Sequence, residues 1–441
     1  MPLSPAHRSR FLLLGAFLVA CSGSAGGSGR ARDSVPVPRP PTARRSATAT
    51  VLPGIDVLLS DSLHLVRGKR VGLITNTTGV WVGPPGRTAG TPRELGSTID
   101  TLFHSPDVKL VALFGPEHGI REQADAGAGI DSGVDPKTGL PIYSLYGKTR
   151  RPTPSMLKGV DVLLFDMQDV GARYYTYMST MAYAMEAAGA AGIPFVVLDR
   201  PDPIRGDVVQ GNVLDSAFST FVGLYPIPMR PGMTLGELAR LFVGEFGIHV
   251  ELHVVPMDGW RRDMTFDETG LPWIPPSPNM PSLQSALAYP GTCLFEGTPL
   301  SVGRGTERPF QWVGAPWLDG RALADTLNGY HLVGLRFEAA TFTPHEPGDG
   351  KFPDTEVHGV RLVATSTDYD APRAAVAMLV EAYRMSGAHW SWNVKDFDRL
   401  AGTDRLRLGI EAGKSVQQLT APWAAEDAAF RKLRRPYLIY R

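Results

Sequence analysis

From Val51 onward the sequence predicts an α/β fold, a parallel sheet of βαβ units over residues 51–276 followed by a smaller α+β unit over 277–441. Three observations predict it. Short β-branched runs alternate with longer helical stretches, the pattern of strands joined by crossover helices. The alternation weakens beyond Met257, where the chain turns rich in Pro and Trp, and Pro275–Pro278 marks a boundary. Polar residues cluster directly after the apolar runs, where an open parallel sheet binds its ligands.

The strands are read at Arg70–Thr75 (RVGLIT), Val108–Phe114 (VKLVALF), Val160–Phe165 (VDVLLF) and Pro194–Leu198 (PFVVL), with Val250–Val255 extending the sheet. Between the third and fourth, Thr176–Ala191 is rich in Ala, Met and Tyr and reads as a helix packed closely on the sheet. Another helix starts at Thr234, where Thr-Leu-Gly-Glu forms a capping box with Glu237 ahead of Leu238, Leu241 and Phe242. In the second unit a long loop is expected over Gly291–Trp317, then a helix at Leu323, a strand at Gly359–Thr365 and helices at Ala371–Ser386 and Val394–Leu400. No internal repeat is detected.

The N-terminus carries a different signal. His7, Arg8 and Arg10 precede an apolar run, Phe11–Ala20, too short to span a bilayer and typical of a signal peptide over residues 1–20. The run ends Leu18-Val19-Ala20-Cys21, which resembles a bacterial lipobox whose cysteine is acylated; a plain signal peptide with an incidental cysteine is the alternative. Residues 21–50 are mostly Gly, Ser, Ala, Pro and Arg and cannot form a core, so they read as a tether. An exported lipoprotein anchored through Cys21 is expected, at the periplasmic face of a membrane. In a Gram-negative host, Ser22 in place of Asp favours the outer membrane.

Composition narrows the partners. Lys plus Arg and Asp plus Glu number 44 each, so no net charge draws the protein to nucleic acid or to anionic headgroups, and lipid is expected only through the anchor. A discrete molecule is the expected ligand. Cys293 is the only other cysteine, leaving no intramolecular disulfide if Cys21 is lipidated; it reads as a small buried hydrophobe.

The residues after the strands carry the chemistry. They are Thr75-Asn76-Thr77, Gly115-Pro116-Glu117-His118-Gly119, Asp166-Met167-Gln168-Asp169 and Asp199-Arg200. Glycosidic hydrolysis normally takes two carboxyl groups across a cleft, and this edge offers several. A lone Asp after a strand is often only a cap or turn former. Glu117 is harder to assign that way, because Gly115 and Gly119 bracket it and Glu is a poor turn residue; it is the leading catalytic candidate, with His118 orienting its carboxylate. Asp166 and Asp169 compete for the second acid role, and Asn76 and Gln168 are candidate substrate contacts. Further on, Arg173, Tyr174 and Tyr175 combine a carboxylate-binding fork with aromatic faces for a sugar ring, or else the tyrosines pack in the core at a helix start. Glu296 and Arg304, in the Gly-flanked segment Phe295–Arg308, suit anion binding.

Other chemistries lack their signatures. No G-x-G-x-x-G opens a helix after a strand, Gly127 and Gly129 lying in a loop; no H-E-x-x-H occurs, and no G-x-S-x-G elbow lies in the globular part. Neither a cofactor nor a metal is expected. A lipoprotein that binds sugars without cleaving them remains the alternative.

The strings PEHG, FDMQDVGARYYTY, LDRPDP, PIPMRPGMTLGELA, PSPNMP, YPGTCLFEG, GRGTERPF and FDRLAGTDRLR, in this order from Val51 to Arg441, resemble the exo-β-N-acetylmuramidase (NamZ) family. The resemblance implies a Rossmann-like domain followed by a smaller domain, with the active-site cleft between them, and release of terminal N-acetylmuramic acid (MurNAc) from saccharides derived from peptidoglycan. It implies Glu117 as the catalytic residue, with His118, Asp166, Asp169 and Arg173 in the same cleft and Asn279, Glu296 and Arg304 facing them. Arg173 or Arg304 would then meet the lactyl carboxylate of MurNAc. The sequence departs from the family pattern at Pro231, where His is expected, and after Arg121, where Gly is usual. A retaining, an inverting and an acetamido-assisted mechanism all stay open, because they differ in carboxylate separation.

Overall fold

Apolar runs buried on both sides make the inner strands of the central sheet, and its edge strands are less buried. In the computed structural model, which describes residues 50–83, 95–121, 127–129 and 131–441, these are β1 (Arg70–Thr75), β2 (Lys109–Gly115), β3 (Gly133–Val134), β4 (Pro141–Ser144), β5 (Val162–Asp166), β6 (Phe195–Leu198) and β7 (Leu252–Val255). The signal peptide, Cys21 and all but the last residue of the tether lie outside the described residues. The sheet order is β7-β6-β5-β1-β2-β4-β3, parallel throughout except for the β3–β4 pair.

Successive side chains of a strand point to opposite faces. Leu163 and Phe165 of β5 therefore enter one buried cluster with Met181 of the helix Tyr177–Ala190, while Val162 and Leu164 enter another with Ile55, Leu58, Ile99 and Leu102. Helices on both faces explain why the strands read as continuous apolar runs. The helix Leu235–Glu245 opens on the expected capping box of Thr234 and Glu237. The order reverses at β1, flanked by β2 and β5, so ligand chemistry belongs at the carboxyl ends of those strands.

Beyond residue 277 a three-stranded antiparallel sheet, β8 (Trp312–Ala315), β9 (Leu335–Phe342) and β10 (Val357–Ala364) in the order β8-β10-β9, packs with helices Leu283–Thr292, Gly320–Asn328 and Ala371–Ser386. Short helices Val394–Ala401, Arg405–Glu411, Val416–Thr420 and Trp423–Arg434 follow. The stretch expected as one loop, Gly291–Trp317, instead holds the end of a helix, a 3₁₀ segment Cys293–Gly297 and β8. Pro290 lies inside the helix Leu283–Thr292, where an added Cβ on Gly291 would sit 2.2 Å from the Ala371 carbonyl oxygen. That close helix approach needs glycine and left no periodic apolar signal.

The two expected units share one core. A single buried cluster contains Tyr174 and Met181 from the first and Leu294, Phe310 and Phe397 from the second. The chain end also returns to the first unit: Tyr440 donates to Asp199 (2.6 Å), Arg434 to the Pro231 carbonyl (2.8 Å) and the Ile439 amide to Glu237 (2.9 Å). Among the described residues no helix is long and apolar enough to cross a membrane.

Candidate active site

The turn after β2 brings out Glu117. The Gly119 amide closes it on the Pro116 carbonyl (3.1 Å), and His118 takes φ +72°, a left-handed conformation that such turns usually give to glycine. A buried non-glycine residue held there costs about 1 kcal/mol or more, a strain found mostly at functional sites. Glu117 and His118 are both buried at the wall of a cleft of about 290 Å³.

Both carboxylate oxygens of Glu117 are held. Thr176 Oγ1 donates to Oε2 (2.6 Å) and the Gly127 amide to Oε1 (2.9 Å), with the Tyr146 hydroxyl close to the carboxylate. Burial and then the Glu117 charge push the Tyr146 hydroxyl up to about 12, so it stays a donor. Thr176 is the N-cap of the helix Tyr177–Ala190, whose positive dipole end thus stands beside the carboxylate.

Tyr174, Tyr175, Tyr289 and Phe310 form an aromatic wall, with edge-on ring contacts of 5.5 Å for Tyr174–Tyr289, 5.7 Å for Tyr175–Tyr289 and 4.7 Å for Tyr289–Phe310. Tyr174 and Tyr175 are themselves core residues, 2% and 7% exposed, so they offer the cleft an edge rather than an open stacking face. From the second unit come Asn279, Glu296, Arg304, Asp349, Asp396 and Arg399. Arg304 lies over the Phe310 ring (5.2 Å) and is tied to Glu296 through Nε (2.9 Å) and Nη2. Lys351 fixes that segment from behind by donating to the carbonyls of Phe295 (3.0 Å) and Leu300 (2.9 Å).

Glu117, His118, Tyr174, Tyr175, Asn279, Glu296 and Arg304 are thus brought together. The other strand-end candidates serve the frame. Asp166 is fully buried, clasped by Arg200 (2.6 and 3.0 Å) and Thr98 (2.6 Å), and lines no part of the cleft. Asn76 donates to the Tyr177 hydroxyl (2.8 Å) and accepts from Thr78 (2.6 Å); Gln168 donates to the carbonyls of Asp169 (2.8 Å) and Pro201 (2.7 Å). Arg173 points away from the cleft and binds four carbonyls, Asn212 (2.8 Å), Ile227 (3.0 Å), Leu400 (3.1 Å) and Ala401 (2.9 Å). Pro231 also lies outside the cleft.

Asp169 is buried behind the cleft, one oxygen accepting the Gly171 amide (2.9 Å) and the other without a partner. Burial, then the neighbouring Asp202 charge, raise it to about 8; burial raises Asp202 to about 7. The folded state therefore keeps protons that the unfolded chain, with carboxyls near ~4, has released, so these groups make stability fall as pH rises from about 4 to about 8. Asp169→Asn, a neutral isostere, is expected to reduce that fall. Urea melts at pH 5 and pH 8 check it; an unchanged difference between them would refute it.

The sequence reading missed Tyr146, Asp349, Asp396 and Arg399. Arg399 sat in the quoted FDRLAGTDRLR string, but nothing local tied that string to Glu117.

A polar cleft at the carboxyl edge of a parallel sheet, with a held carboxylate on one wall and further carboxylates opposite, is the equipment of an α/β glycosidase. The chain belongs to the NamZ family: the part described as "Exo-beta-N-acetylmuramidase NamZ, N-terminal" matches residues 71–284, and the C-terminal part matches 287–440. Its relatives include the "Peptidoglycan beta-N-acetylmuramidase NamZ" of Bacillus subtilis (strain 168), 48% identical over 389 residues covering 88% of this chain and 91% of that protein. Two crystal structures of DUF1343 family proteins from Bacteroides fragilis NCTC 9343 share the fold. One has a TM-score of 0.80 at 37% identity, covering 89% of this chain and all of that one, and the other 0.70 at 32%, covering 89% and 99%.

Proposed function

We propose that this chain is an exo-acting glycoside hydrolase that releases terminal MurNAc from peptidoglycan-derived saccharides such as MurNAc-GlcNAc, with Glu117 as its proton-transfer group. The observation that carries this reading is the state of Glu117, buried at the cleft wall with a donor on each oxygen, so that its carboxylate plane is set before substrate arrives. The cleft's volume of about 290 Å³ is at the small end of ligand sites, suited to a terminal sugar rather than a threaded strand. The name of the Bacillus subtilis relative supports the same substrate class.

His118, strained into place next to Glu117 at the cleft wall, orients its carboxylate. Glu296, Asp349 and Asp396 supply the carboxylates of the opposite wall, the places Asp166 and Asp169 leave open.

The test is incubation of residues 51–441 with MurNAc-GlcNAc and longer saccharides, following free MurNAc. Stepwise release of MurNAc from one end is expected. Binding of the disaccharide with no release would overturn the reading in favour of a non-catalytic cell-wall sugar binder.

The enzyme works at a membrane surface, held by acylated Cys21, a reading supported by the apolar run and the small residues ahead of that cysteine. In the expressed full chain, Cys21→Ser should move the protein from the membrane to the soluble fraction and abolish incorporation of labelled fatty acid; a variant that stays membrane-bound and labelled would refute the anchor.

A further inference from the structure

MurNAc differs from N-acetylglucosamine by a lactyl ether that ends in a carboxylate, so a site selective for it has to offer a cation. The cleft makes this a demanding requirement, because Glu117, Glu296, Asp349 and Asp396 line it and repel an anion. Among the described residues lining it, the arginines are Arg304 and Arg399. Arg304 is committed to Glu296, with its side chain only 11% exposed. Arg173 is engaged elsewhere with four backbone carbonyls. Arg150 lies exposed over the rings of Tyr146 and Phe221, outside the lining.

Arg399 differs from all three. It stands on the helix Val394–Ala401, whose Phe397 and Leu400 are buried and hold the helix on the core. Its contact is Asp396, 3.2 Å from Nε, and with 40% and 35% of these side chains exposed the pair is solvated and weak. Asp396 is itself held by Asn393 (2.5 Å). Beyond that ion pair, no hydrogen bond holds the guanidinium among the described residues, so Arg399 is far less committed than Arg304 or Arg173. Arg399 lines the cleft together with Tyr146 and Cys293, groups of its two walls, and its charge acts on both.

We infer that Arg399 is the specificity-determining residue of the cleft, the cation that receives the lactyl carboxylate; this rests on reading the cleft as a muramidase site. Arg173 is its positioning residue, because Arg173 holds the carbonyls of Leu400 and Ala401 that directly follow it.

The test compares a chromogenic MurNAc glycoside with its lactyl methyl ester, which keeps the shape and removes the charge. The wild type is expected to favour the free acid by about 100-fold in kcat/KM, the worth of a charge-assisted hydrogen bond. In Arg399→Met the acid-to-ester ratio should collapse towards one. Arg399→Lys, which keeps charge but loses the planar fork, should retain part of it. A wild type that treats acid and ester alike overturns the proposal without any variant, as does a full preference retained in Arg399→Met. Calorimetric binding of MurNAc-GlcNAc and its ester to the Glu117→Gln protein reads the same ratio without turnover. A cleft that binds with acid preference but never hydrolyses would therefore refute the hydrolase reading and leave Arg399 standing, whereas a cleft that binds neither sugar overturns both.

Discussion

Replacing Glu117 by glutamine is expected to lower kcat for MurNAc release by about a thousandfold, the usual worth of a positioned proton-transfer group. The substitution is close to isosteric, and the surroundings can accept it. The Gly127 amide still finds an acceptor, and Thr176 Oγ1, now a donor to Glu117, can rotate its hydrogen and accept from the new amide. Sugar binding and thermal stability should therefore stay close to wild type. Steady-state kinetics with calorimetric binding on the same preparations checks this. A loss of binding that matches the loss of turnover would mean that Glu117 holds the sugar and does not move the proton.

Replacing Arg173 by methionine is expected to lower stability by about 3 kcal/mol or more, because a fully buried guanidinium would vanish and leave carbonyls without donors in a water-free interior. Burial lowers the Arg173 pKa to about 10, so it is still charged at neutral pH and its hydrogen bonds are charge-assisted. The four acceptors lie on the hairpin strand Gln210–Val213, on the segment leading to its partner Pro228–Arg230, and at the end of the helix Val394–Ala401. One side chain therefore ties the first unit to the last helices. Gly402, at φ +67°, keeps this junction open, since an added Cβ would stand 2.9 Å from Arg173 Nη2. A fall in Tm of roughly 4 °C or more is expected for a unit of this size. The acid-to-ester preference assigned to Arg399 should weaken as well, which a purely structural residue far from the cleft would not change. A melting temperature within about 1 °C of wild type would refute the role, as the lost bonds would then be worth under ~1 kcal/mol.

Much of the frame was legible along the chain. The strands read at Arg70–Thr75 and Pro194–Leu198 form at Arg70–Thr75 and Phe195–Leu198, and the Thr234 capping box forms as read. These are local matters: a run of β-branched residues or a hydroxyl three positions before a glutamate reports on its own neighbourhood. Glu117 was legible for the same reason, since a glutamate between two glycines at a strand end has few structural uses. Asp166, Asp169 and Arg173 were placed in the cleft beside Glu117 because each also stands just after a strand.

What the sequence by itself determined was the α/β class, the alternation of buried runs that builds the sheet, and the identity of the loop carrying Glu117. The tertiary structure alone decided which polar residues meet a ligand. Asp166 is taken by Arg200 just past the next strand, and Arg173 by carbonyls more than two hundred residues further on. The cleft's opposite wall comes from a helix near the chain's end that carries Asp396 and Arg399. A buried polar group must find a partner, and the partner is chosen by whichever distant segment packs beside it.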